Sequence, residues 1–165
     1  MTLDPDPPQP LGPKTPSRLA RRGFMLGGVA LIATAGIAAA KWFNVTADVG
    51  EGALSASQAH EQAIAGQITL VDIRRPDEWA RTGVPEGGIA LDMRSADFTE
   101  VLLRAVQGDK GAPIALICAR GVRSYGMSVR LKQAGFTQIL DVPEGMLGSG
   151  AGPGWVKRGL PVVMP

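Results

Sequence analysis

The sequence predicts an α/β domain, a three-layer sandwich whose central, mainly parallel sheet is flanked by helices. Three observations carry this expectation. The runs Ile68–Ile73, Pro113–Cys118 and Thr137–Val142 have strand length, and the first two are largely apolar and rich in branched residues, as strands covered on both sides require. Segments with helix start and stop signals lie between them. Strands alternating with helices of about ten residues pair in parallel through crossovers.

Taken in order, Ser55-Ala56-Ser57-Gln58 has capping-box spacing and starts a helix that runs toward Gly66. Ile68–Ile73 is the first strand. Pro76 sits where a first-turn proline opens a helix over Asp77–Arg81. Ile89–Met93 reads as a second short strand. Phe98, Val101, Leu102, Ala105 and Val106 recur at helical spacing between Asp97 and Gln107. Pro113–Cys118 is the clearest buried strand and ends on the cysteine. After Gly121 a helix carrying Met127, Val129 and Leu131 stops at Ala134-Gly135, and Thr137–Val142 is the last strand.

A chain of 165 residues with a hydrophobic fraction of 45% can build one ordinary core with a short appendage. The net charge of +2 resides in the first forty residues, where Lys14, Arg18, Arg21 and Arg22 face only Asp4 and Asp6. The body is neutral, so electrostatic capture of nucleic acid is not expected. With one cysteine, Cys118, and one histidine, His60, there is no disulfide framework and no zinc-ligand spacing. No metal or bound cofactor is expected.

The leader divides in two. Residues 1–16 carry Pro5, Pro7, Pro8, Pro10, Pro13 and Pro16, with Leu3 and Leu11 as the only leucines, and are expected to be disordered. Residues 17–40 place Arg18, Arg21 and Arg22 ahead of the uncharged, Gly/Ala-rich run 27–40. The order Arg21-Arg22-x-Phe24-Met25 resembles a twin-arginine export signal. Ala38-Ala39-Ala40 offers a cleavage site. Residues 23–40 are also near the lower length for a bilayer span, so a retained N-terminal membrane anchor is the alternative to a cleaved signal peptide. Either outcome puts the domain in the periplasm or an equivalent space, with the export machinery as a partner. Residues 41–53 read as a linker and 54–165 as the domain.

Ligands of parallel sheets bind beyond the carboxyl ends of the strands. Cys118-Ala119-Arg120-Gly121-Val122-Arg123-Ser124 therefore joins a strand to a helix where successive amides can turn inward as an anion nest, with Arg120 and Arg123 near enough to support a thiolate. Buried free cysteines are usually inert packing, but the Gly and Arg pattern reverses that expectation.

The loop resembles that of the rhodanese family: Cys, four residues, Arg, then Ser or Thr, with Gly third after Cys. Cys118, Gly121, Arg123 and Ser124 match. So do Leu70-Val71-Asp72-Ile73-Arg74 with Glu78-Trp79, Gly135-Phe136, Glu144-Gly145-Met146, and Trp155 with Gly159-Leu160-Pro161-Val162. One departure is Val84, where many members have His. The resemblance implies a rhodanese-like fold and a sulfurtransferase that forms a persulfide on Cys118. Sulfur would come from a small donor, thiosulfate or a persulfide, and pass to cyanide or a thiol, including that of a periplasmic protein. Ala119, Arg120, Gly121, Val122, Arg123 and Ser124 would bind substrate, while Asp72 and Arg74 would support neighbouring loops. Trp79 and Trp155 read as packing residues and His60 as a surface residue. The rivals are a sulfur-carrier or docking module without turnover, and a Cys-dependent phosphatase or arsenate reductase. The last pair is disfavoured because the related phosphatase loops have five residues between Cys and Arg.

Overall fold

The computed structural model describes residues 36–47, 49–50 and 52–165. From Ala38 to Pro165 the chain forms one compact unit. The expected disordered segment, Arg21, Arg22 and Phe24 lie outside the described residues.

Residues 36–43 are helical (α1). Then follow α2 (Ala56–Ile64), β1 (Thr69–Asp72), α3 (Pro76–Thr82), β2 (Val84–Pro85), β3 (Gly88–Ala90), α4 (Phe98–Ala105), β4 (Ile114–Ile117), α5 (Val122–Gln133), β5 (Ile139–Val142), α6 (Gly154–Lys157) and β6 (Val162–Val163). The sheet has the order β3-β1-β4-β5 with every pair parallel. This is the expected α/β sandwich.

Strands β1, β4 and β5 each feed two cores because successive side chains point to opposite faces. From β4, Ile114 and Leu116 join Phe98, Leu102, Met127 and Leu131 under α4 and α5. Ala115 and Ile117 pack the other way, with Ala56, Ala59, Met146 and Trp155. Ser55 caps α2 with the reciprocal Gln58 bonds read from the sequence. Pro76 opens α3 as expected.

Several expectations require correction. The strand placed at Ile89–Met93 is Gly88–Ala90; beyond it Leu91 and Met93 donate only single bonds to Asp72 O and Ile73 O. Cys118 is not in the strand but follows it, since β4 ends at Ile117. The antiparallel β2–β6 pair and α6 were not foreseen, because elements of two and four residues carry no periodic signal. His60, read as a surface residue, is partly buried: its side chain is 20% exposed, bonds Glu86 at 3.0 Å and meets Trp155 edge-on. Trp155 is fully buried and donates to Pro161 O. Ala53, the last residue of the stretch read as linker, bridges Asp141 in parallel. Among the described residues no helix is long and apolar enough to cross a membrane.

Candidate active site

Cys118 leaves β4 at the carboxyl edge of the sheet and is 1% exposed. The loop after it is fixed from outside by its carbonyls. Cys118 O accepts from Met146 N–H at 2.9 Å, Ala119 O from Leu147 N–H at 2.9 Å, and Arg120 O from the Asn44 side-chain amide at 2.9 Å. In a trans peptide the carbonyl and the following N–H point in opposite directions. Tying three carbonyls outward therefore turns the amides of Ala119, Arg120 and Gly121 inward. No amide from Ala119 to Ser124 donates to a backbone carbonyl among the described residues. The loop thus presents free donors, followed by the first turn of the twelve-residue α5. That is an anion nest with Cys118 at its base.

Glycine is required at two positions here. Gly121 has φ +82°, and a Cβ there would meet Pro143 O at 2.5 Å. Gly145 has φ +63°, and its Cβ would stand 2.6 Å from the Ala119 carbonyl. Pro143 to Leu147 is accordingly the backing on which the loop rests.

The side chains around the thiol pair with one another or line its mouth. Arg123 makes a two-pronged pair with Glu78, both contacts 2.7 Å. The Arg123 guanidinium holds the Glu78 carboxyl below its usual range. Arg123 is itself pushed up, first by Glu78 and further by the facing Cys118. Arg120 bonds Gly148 O at 3.0 Å and lies over the Phe43 ring at 4.5 Å. Ser124 is buried and donates to Gly121 O at 3.0 Å, so in this structure its hydroxyl braces the loop. Ala119 and Val122 line the mouth, a cavity of about 650 Å³ that reaches Cys118 and is bordered also by Lys41, Trp42 and Arg81.

Asp72 and Arg74 form a buried pair at 2.6 Å, with Arg74 1% exposed. Arg74 also donates to Thr82 Oγ1 and Gly83 O, tying the end of β1 to the end of α3. It therefore ties the helix that carries Glu78 to the end of β1. Glu144 plays the same part behind the loop, accepting from the amides of Ala56 and Gly154 and from Arg158.

Sequence reasoning missed the roles of Glu78, Asn44 and Gly145. Glu78 was visible as part of a motif, but its pairing with Arg123 spans 45 positions and has no local signal. His60 is directed to Glu86 and Trp155, so no Cys/His pair forms.

Asp141, on β5 opposite Leu116, has its carboxyl pushed up from 3.8 to about 6 by burial, with the Ser124 hydroxyl offsetting part of the effect. Its Oδ1 has no hydrogen-bond partner among the described residues. The folded value lies above the unfolded one, so the unfolded chain ionises first, and stability falls as pH rises from 3.8 to about 6. Asp141→Asn is expected to melt at a higher temperature than the wild type above that window, the gap closing below it; thermal scans across pH read this directly.

The described residues thus form a parallel α/β sandwich with a buried cysteine just beyond the end of a central strand. The rhodanese-like domain profile matches residues 55–148, and the chain belongs to that family. It is 29% identical over 111 residues to a sulfurtransferase of Allochromatium vinosum, covering 67% of this chain and 92% of that one. Among solved structures it is similar to a polysulfide-sulfur transferase homodimer from Wolinella succinogenes, at 25% identity and TM-score 0.52, over 81% of this chain and 88% of that one. A thiosulfate sulfurtransferase from Pseudomonas aeruginosa shares the fold at 21% identity and TM-score 0.52, over 67% of this chain and 20% of that one.

Proposed function

We propose that this protein transfers sulfane sulfur from thiosulfate or a related donor to a thiol or cyanide through a persulfide on Cys118. The observation that carries this is the nest: the amides of Ala119, Arg120 and Gly121 turn inward beside the buried Cys118, with a gap of four residues from Cys118 to Arg123.

In the first half-reaction the Cys118 thiolate attacks the outer sulfur of thiosulfate. The sulfur–sulfur bond of the donor breaks, its electron pair leaves with sulfite, and the outer sulfur stays on Cys118 as a persulfide anion. In the second, a thiolate or cyanide attacks that outer sulfur, becomes a persulfide or thiocyanate, and returns the Cys118 thiolate. The loop amides hold the negative charge in both halves, as an oxyanion hole does. Arg120 and Arg123 border the entry path of an anionic donor but are already engaged by Gly148 O and Glu78. Their part in binding is to set a positive mouth rather than to clamp the donor. A domain that loads sulfur without turnover would be a carrier, and the same nest would serve it.

The reading extends to location: a twin-arginine signal over 17–40 would deliver the domain to the periplasm, cleaved or retained as an anchor. There a protein partner would unload and protect the thiol, which is open to oxidation outside the cytoplasm. Changing Arg21 and Arg22 to Lys is expected to leave the protein in the cytoplasm on fractionation. Unchanged export would contradict the twin-arginine assignment. The activity itself is tested by thiocyanate production from thiosulfate and cyanide. Saturable turnover that falls to background in Cys118→Ser is expected; a wild-type rate at background with thiosulfate and with polysulfide would contradict the enzyme reading.

A further inference from the structure

We propose that Asn44, outside the 55–148 stretch that the family profile matches, is a positioning residue that sets the orientation of the Gly121 amide in the sulfur-binding nest. The inference rests on Cys118 being the reacting thiol.

The first two outward carbonyls of the loop are held by backbone amides, those of Met146 and Leu147, which most side chains at those positions would leave in place. The third, Arg120 O, is held by a side chain: Asn44 Nδ2 at 2.9 Å. The peptide between Arg120 and Gly121 is also the easiest in the loop to turn over. Gly121 sits at φ +82°, and glycine tolerates both signs of φ, so a flip of that peptide meets no Cβ of its own. A flip would point the carbonyl oxygen of Arg120 at the sulfur and remove the Gly121 N–H, replacing attraction with repulsion. Asn44 biases this two-way choice toward the binding orientation.

The segment around Asn44 is built to deliver that amide. Asn44 itself adopts φ +49°, a left-handed conformation that few residues other than glycine accept and asparagine accepts readily. Its carbonyl takes the Gly150 N–H at 2.9 Å. Gly150 lies so close that a Cβ would stand 2.1 Å from Val45 O, so a glycine there admits the strap. On the other side Phe43 lies under the Arg120 guanidinium. The strap thus grips residue 120 twice, at its carbonyl and at its side chain. A segment that served only as a connection to the leader would require neither contact.

The test compares full-length wild type with Asn44→Asp and Asn44→His. All three residues are among those that tolerate the left-handed backbone, but aspartate loses the donor while the imidazole can keep one. Three readouts are taken: alkylation of Cys118 by iodoacetamide at neutral pH, single-turnover persulfide loading from thiosulfate, and the melting temperature. Asn44→Asp is expected to slow both alkylation and loading by a factor of about ten, and Asn44→His to recover most of it. Wild-type rates in Asn44→Asp would overturn the assignment. Equal losses in both variants that track a lowered melting temperature would overturn it too, showing only a structural strap. If wild type fails to load sulfur while Asn44→Asp still alkylates more slowly, the sulfurtransferase reading falls and the positioning role stands.

Discussion

Asp72→Ala is expected to destabilise the domain by about 3–5 kcal/mol, the range for stranding one member of a buried ion pair. The expectation follows from where the charge would be left. Arg74 is 1% exposed and its guanidinium spans Asp72, Thr82 and Gly83, so without the carboxylate it remains buried with only neutral acceptors. The end of α3 would loosen, and with it Glu78, the partner of Arg123. Urea denaturation followed by tryptophan fluorescence measures the loss. Replacing both Asp72 and Arg74 with apolar residues of similar volume should cost less than the single change, because no charge is then stranded.

The second large effect concerns catalysis. Gly145→Ala would place a methyl group 2.6 Å from the Ala119 carbonyl and 2.7 Å from Arg120 N, at a position whose φ of +63° already disfavours alanine. Both contacts are backbone, so no side chain can swing aside, and the Cys118 loop must move. A displacement near 1 Å of a reacting group costs a factor of roughly a hundred in rate. Thiosulfate:cyanide turnover is the measurement, and a melting temperature that falls modestly beside a much larger fall in rate would assign the effect to the nest.

The contrast between these residues shows what was legible in the sequence. The sheet, its parallel pairing and the crossover helices could be read because runs such as Ile114–Ile117 and the Ser55–Gln58 cap carry their signal locally. Cys118 and the loop through Ser124 could be read because the nest is contiguous in sequence. What was hidden is long-range. Glu78 meets Arg123 across 45 positions, and Asn44 meets Arg120 across 76. The two-residue strands Val84–Pro85 and Val162–Val163 exist only because they pair with each other. Asn44 in particular sits in a stretch whose composition read as linker, since a single side-chain bond to a distant carbonyl leaves no pattern in its own neighbourhood.

The most direct test of the central claim is intact mass spectrometry of the purified protein after incubation with thiosulfate, and again after addition of cyanide. A gain of one sulfur atom that is absent in Cys118→Ser and disappears on addition of cyanide, with thiocyanate released, is the predicted result. A protein that gains no sulfur from thiosulfate, polysulfide or any other sulfane donor would contradict it.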